Sequence, residues 1–239
     1  DLVRSRGLGD VYKRQTWQDA WDVVARYGLA PTLPAPVIAR LHAGLDGSLL
    51  DTPKPGDPLF AGVQTVIVGD NRVAALAACM QATALGYNAQ LLTTFLEGEA
   101  AAVARFAVAL AREVQASGHP IAAPACLILG GETTVTLGQQ HGTGGRNQEL
   151  ALAAALALAS ATGITIAALA TDGTDGPTDS AGAIVDGHTV SRGRSLGLDA
   201  AVALRGHDAY PYLAAVGDLL VSGPTQTNVN DLVVVMVER

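Results

Sequence analysis

Strand-like and helical segments alternate along the chain, glycine turns follow several of the strands, and a β-branched run closes it at 232–237. Together these predict an α/β fold with mixed or parallel sheets flanked by helices. Of the 239 residues, 49% are apolar and 15% charged. That excludes disorder as the general state and allows one large core or two modest ones.

Residues 1–15 hold four of the 15 basic residues and match nothing in the apolar body that follows. They lack the apolar stretch of a secretory signal, so a non-native or disordered tail is expected there. Residues 17–27 carry a helical pattern, and a second helix is expected at 36–43 after a proline-rich turn. The stretch 52–58 contains Pro53, Pro55 and Pro58. Each removes a backbone donor and restricts the residue before it, so no regular element is expected. Val66, Ile67 and Val68 form a short apolar run that reads as a strand. Gly69, Asp70 and Asn71 supply a turn with a helix N-cap, 72–85 has helical periodicity ending at Gly86, and 89–93 reads as the next strand. A helix at 99–116 follows, then a strand at 126–129 running into Gly130-Gly131-Glu132, with strand character again at 133–137. Residues 150–170 carry no charge and are long enough to span a bilayer. Ser160, Thr162, Gly163 and Thr165 interrupt them, so the expectation is a buried helix ending near Gly163 and a core strand at 164–170. The continuous run at 232–237 is of the kind buried on both faces, which favours largely parallel sheets.

Two loops carry the chemistry. The first, Gly142-Thr143-Gly144-Gly145-Arg146-Asn147-Gln148-Glu149, stands directly before a helix. Glycines let a backbone approach a ligand, helix N-terminal N–H groups favour an anion, and Arg146 offers a bidentate charge for phosphate or carboxylate. A tight turn with Asn147 as N-cap and Glu149 in the first turn is the plainer alternative. The segment is not a dinucleotide fingerprint, because Asn147 stands where the third glycine is needed, and the chain contains no GxxxxGK[ST]. The second loop, 170–182, follows a core strand and holds Asp172, Asp175 and Asp179. Ligands of open α/β sheets sit beyond the carboxyl ends of strands, where these carboxylates would hold Mg²⁺ or act as a base. An Asx-turn-rich surface loop is the alternative. Glu132, just after a strand, and the polar cluster 225–231 with Thr227 and Asn228 are weaker signals that turn chemistry explains equally well.

The remaining residues narrow the classes. A formal charge of −7 with two lysines argues against a nucleic-acid groove or a polybasic membrane surface. Cys79 and Cys126 lie far apart in apolar segments, which leaves neither a disulfide framework nor a CxxC site and suits a reducing cytoplasm. The histidines are scattered singly, and His141 beside the glycine loop reads as structural.

The ordered motifs VIVGDN (66–71), GEA (98–100), CLILGGETTV (126–135), GTGGRNQEL (142–150), ATDGTDGPTDSAGA (170–183) and GPTQTNVNDL (223–232) resemble the glycerate 2-kinase family, some members of which are labelled hydroxypyruvate reductase. The resemblance covers about 16–239 and corresponds to the C-terminal part, including the region called MOFRL. It implies ATP-dependent phosphorylation of glycerate to 2-phosphoglycerate with Mg²⁺, in a cleft between two α/β domains. It also implies that the first of those domains is incomplete here: 16–121 as its remnant and 122–239 as the MOFRL-like domain. Carried over motif by motif, Arg146, Asp172 and Asp175 are the catalytic candidates, Asp172 and Asp175 also the metal ligands. Glu132, Gly144, Gly145, Asn147, Glu149, Thr227 and Asn228 are the candidates for binding substrate or phosphate.

Two departures stand out. Gln226 occupies a position where the family usually has glycine, and the family's glycine/serine-rich phosphate loop and active-site lysine have no counterpart. Lys13 and Lys54 sit in no matching motif. The missing N-terminal half is therefore the expected partner, beside the small-molecule substrate. The competing readings are a hydroxypyruvate reductase using NAD(P)H and a ligand-binding module without turnover.

Overall fold

The computed structural model describes residues 16–54, 56–64 and 66–238. The expected tail at 1–15, with Lys13, lies outside the described residues. The chain divides into two compact units between Val68 and Gly69.

In the first unit, α1 (Trp17–Arg26) opens with a capping box in which Thr16 and Asp19 satisfy each other's backbone donors. Helix α2 (Ala35–Leu45) starts after Pro34. A Cβ on Gly44 would fall 2.1 Å from the Trp17 ring, so glycine is what lets the indole lie against α2. A 3-10 turn at Pro58–Phe60 starts on the last residue of the proline-rich stretch, whose other described residues, 52–54, 56 and 57, form no helix or strand. Residues 66–68 correct the sequence reading: they form no strand, and Val68 is 95% exposed. A β-branched run becomes a strand only where a neighbour accepts its backbone hydrogen bonds, and no described strand does so here.

The second unit is built on a six-stranded mixed sheet ordered β1-β2-β6-β3-β4-β5. Its strands are β1 (Asn88–Leu96), β2 (Ala125–Gly131), β3 (Ile164–Ala170), β4 (Gly182–Asp186), β5 (Leu219–Leu220) and β6 (Asp231–Val237). Helix α3 (Asn71–Ala84), N-capped by Asp70, covers β1 and β2 on one face through Ala75 and Ala82 against Cys126 and Ile128. The opposite face carries α4 (Ala100–Ser117), α5 (Arg146–Leu158), α6 (Thr189–Ser195), α7 (Ala200–Arg205) and α8 (Ala209–Val216). Alanines 104, 107 and 111 of α4 and 151, 154 and 155 of α5 are buried together, and their small side chains let the helices approach closely. Burial pushes the Cys126 thiol up to about 11, with Cys79 nearby adding to the rise. No helix among the described residues is long and apolar enough to cross a membrane, and the uncharged stretch resolves into α5 and β3.

Two further expectations are corrected. Of the hydrogen-bonded strand pairs only β1–β2 is parallel; β6 is antiparallel to both β2 and β3, and β4 to both β3 and β5. The β-branched run of β6 reflects its central place in the sheet rather than parallel pairing. Residues 133–137 form no strand beyond a single bridge, Thr134 with Glu99. Strand β4, β5 and helices α6 to α8 were not marked by the sequence pattern. The register sets Asp231 opposite both Gly131 and Ala170, and Leu169 opposite Gly182. The end of β2, the end of β3 and the start of β6 therefore meet at one end of the sheet.

Candidate active site

At that end of the sheet the glycine loop enters α5, with Gly145 as N-cap. The anion at this helix start belongs to the protein itself. Asp175 accepts from the Asn147 backbone N–H and Nδ2, both at 3.2 Å, and from the Gln148 backbone N–H at 2.9 Å. The Gln148 Nε2 donates to the Asp175 carbonyl at 3.3 Å and to Thr178 Oγ1 at 2.8 Å. A Cβ on Gly145 would fall 2.2 Å from Asp175 Cγ, and one on Gly142 2.3 Å from Asp208 Oδ1. Both glycines are thus required by internal carboxylates packed against the loop. Burial raises the Asp175 carboxyl above its ordinary range, against the pull of the Gln148 and Asn147 hydrogen bonds.

Arg146 is the loop's outward charge. Its Nη2 donates to Asp231 Oδ1 at 2.8 Å, its Nε to the other oxygen of the same carboxylate, and its Nη1 lies 3.1 Å from Glu132 Oε1. Asp231 is 4% exposed, whereas the Arg146 side chain keeps 20% of its surface open. Burial opposes the guanidinium charge, but the Asp231 hydrogen bonds and the charges of Asp231, Glu132 and Asp175 outweigh it and hold the pKa above its ordinary value. Two of the five N–H groups a guanidinium offers are hydrogen-bonded to Asp231, and Glu132 adds an ion pair beside them, so N–H groups on Nη1 and Nη2 remain for a ligand.

Glu132 is brought to Arg146 by Gly131. A Cβ there would meet the Leu96 carbonyl at 2.3 Å, and the Glu132 N–H donates to that carbonyl at 2.8 Å. Asp172 begins the loop after β3. Its carboxylate accepts from the Thr174 backbone N–H at 3.0 Å and from Asn228 Nδ2 at 2.9 Å, and it stays half-buried. The 225–231 cluster is sewn to the same strand end: Thr171 donates to the Asn230 carbonyl, and its hydroxyl accepts from the Val229 N–H at 2.9 Å. Thr227 is exposed, with its N–H on Thr225 Oγ1. Gln226 sits at φ +61°, the left-handed region, which explains physically why glycine suits that turn.

The structure thus joins Glu132 to Arg146 and Asn228 to Asp172. It directs Asp175, Asn147 and Gln148 into the helix start and gives Glu149, 6% exposed, to His207 Nδ1 at 3.0 Å. Gly144 packs against Ala209. The carboxylates of Asp172 and Asp175 accept from different donors, Thr174 and Asn228 for the first and Asn147 and Gln148 for the second, and no group of three His, Cys, Asp or Glu able to hold a metal occurs among the described residues. Sequence reasoning placed Asp231 in the polar cluster 225–231 but gave it no role of its own; the one further signal for the carboxylate that holds Arg146 was its place opening an apolar strand.

Residues 125–231 match the MOFRL family model. Over 222 residues the chain is 39% identical to the glycerate 2-kinase of Pyrococcus horikoshii, covering 93% of this chain and 50% of that protein. It is 33% identical to the glycerate kinase of Homo sapiens, covering 90% and 48%. The crystal structure of a glycerate kinase from Thermotoga maritima superposes with a TM-score of 0.75 at 39% identity, over 93% of this chain and 50% of that one. The chain therefore spans about half the length of the relatives it matches.

Proposed function

This chain is a relative of the glycerate 2-kinases with a MOFRL-family region at residues 125–231, and from that premise we propose that it supplies the Arg146–Asp172 side of an ATP-dependent glycerate kinase site. The observation that carries the reading is the guanidinium of Arg146. It is fixed by Asp231 and Glu132 at the end of the sheet where the β3 loop presents Asp172. In the proposed reaction the glycerate C2 hydroxyl oxygen attacks the γ-phosphorus of ATP, and the bond from that phosphorus to the β–γ bridging oxygen breaks to release ADP. Arg146 neutralises charge on the transferring group or grips the substrate carboxylate with its remaining N–H groups. Asp172 orients the hydroxyl and receives its proton. Asp175 holds the α5 start in place, which fixes Arg146. Glu132 holds the guanidinium, and Asn228 orients Asp172. Mg²⁺, when bound, would neutralise phosphate charge; Asp172 is the carboxylate of this chain that would hold it together with phosphate oxygens, as the alternative to its role as base.

Phosphoryl transfer depends on several groups positioned at once. On this reading the remaining groups come from the half of the relatives that this chain does not span, and the protein works in the cytoplasm on a small-molecule substrate. The test is a coupled assay for ADP release with D-glycerate and Mg·ATP. It is run on the 239-residue chain alone and on the chain joined to the N-terminal half of a relative. Glycerate-dependent ADP formation by the joined protein, and little from the chain alone, is the expected result. No turnover by the joined protein, or NAD(P)H oxidation with hydroxypyruvate instead, overturns the proposal.

A further inference from the structure

The GDN turn before α3 is a sequence motif that the proposed reaction leaves unused. Asn71 is the first residue of α3, and its carboxamide reaches across to the entry of β6. One Nδ2 donates to two carbonyls, Val229 at 2.8 Å and Asp231 at 3.0 Å. Its Oδ1 is buried without a hydrogen-bond partner, and a Cβ on Gly130 would fall 1.8 Å from it. Glycine at 130 is therefore what admits the amide.

We infer that Asn71 is a positioning residue for Arg146: it holds the backbone that carries Asp231, and Asp231 in turn orients the guanidinium. The chemistry selects this residue type. Two acceptors two residues apart need two N–H donors on one short planar group. Aspartate has none when ionised, and serine or threonine has one. The held segment needs the tie, because Gln226 and Asn230 just ahead of β6 both lie at positive φ, +61° and +68°. Thr171 fastens the same segment from β3, through the Asn230 carbonyl and the Val229 N–H, so Asn71 supplies the restraint from the α3 side. A catalytic meaning for Asn71 rests on the reading of Arg146 given above, whereas the positioning does not.

The test is hydrogen exchange of guanidinium N–H groups, followed by NMR on the ¹⁵N-labelled chain. Arg192 serves as the internal control. It bridges Asp186 and Asp218 at the other end of the sheet, where Asp186 pairs with Thr165. In Asn71→Ala, exchange at Arg146 should accelerate about tenfold, the scale on which one or two ordinary hydrogen bonds shift an equilibrium, while Arg192 stays unchanged. Gly130→Ala, which must displace the amide, should reproduce the same pattern. Asn71→Asp keeps the volume and removes both donors, and takes the place of the alanine variant if that fails to fold. Unchanged Arg146 exchange, equal acceleration at both arginines, or unfolding of all three variants would each overturn the inference. None of these outcomes depends on whether the protein phosphorylates glycerate.

Discussion

The Asp175 carboxylate accepts the Gln148 backbone N–H at 2.9 Å and lies 99% out of solvent, so the start of α5 is capped from a loop 27 residues away. A helix N-terminus carries a partial positive charge and several unpaired N–H groups, and a buried carboxylate answers both. The neighbouring Asp172 has no such duty, and the two aspartates should respond differently to substitution.

Asp175→Ala should lower unfolding free energy by about 2–3 kcal/mol, because it leaves buried α5 donors without an acceptor. Urea unfolding followed by far-UV circular dichroism measures it. A change within about 0.5 kcal/mol, the range of ordinary surface substitutions, would show that the cap contributes little.

Asp172→Asn is nearly isosteric at a half-buried position and should change stability by no more than about 0.5 kcal/mol. In the joined two-half enzyme it should nevertheless abolish most Mg·ATP-dependent turnover. Preserved turnover with a large drop in melting temperature would make Asp172 a structural loop residue.

Arg146→Lys should cost the joined enzyme on the order of 10²–10³ in turnover, because an ammonium cannot hold Asp231 bidentately and still present donors to a ligand. Steady-state kinetics with varied glycerate and ATP report it. Wild-type turnover would remove Arg146 from the reaction.

Glu149 gives a pH signature. Burial raises its carboxyl pKa above the ordinary 4.5, the His207 hydrogen bond and charge pull it back, and Glu99 adds to the rise. A group whose folded pKa exceeds its unfolded value binds its proton more readily in the folded state. Its contribution to stability is therefore greatest at and below the unfolded value and declines as pH rises through the folded one. Glu149→Gln should remove this decline, so the stability difference between variant and parent should grow in the variant's favour as pH rises from 4.5 toward neutrality. Urea midpoints measured across that range decide it, and parallel profiles for the two proteins would refute the assignment.

Gln226→Gly should stabilise the chain by roughly 0.5–1 kcal/mol, since glycine adopts the +61° φ of this turn without a Cβ penalty. Thermal unfolding checks it. Destabilisation would mean that the glutamine side chain contributes more than its backbone strain costs.

Local pattern was sufficient for most elements of the second unit. The helical periodicity at 72–85 and 99–116, the alanine-rich helix and the strands around 126–129 and 164–170 all appear within a few residues of their expected places. Both loops suspected of chemistry lie at one end of the sheet, and the order of motifs alone resembles the family. Local pattern could not decide strand direction or partnership. A β-branched run such as 232–237 looks the same parallel or antiparallel, and 66–68 looks like a strand whether or not a neighbour exists to pair with it. The roles within the site also came from tertiary structure alone. Asp172 and Asp175 occur in one motif, yet one is half-open and the other is sealed beneath α5. Arg146 finds its main partner 85 residues away in Asp231. Such pairings are fixed by sheet register and by which buried donors lack acceptors, and both are properties of the folded chain rather than of any local stretch of it.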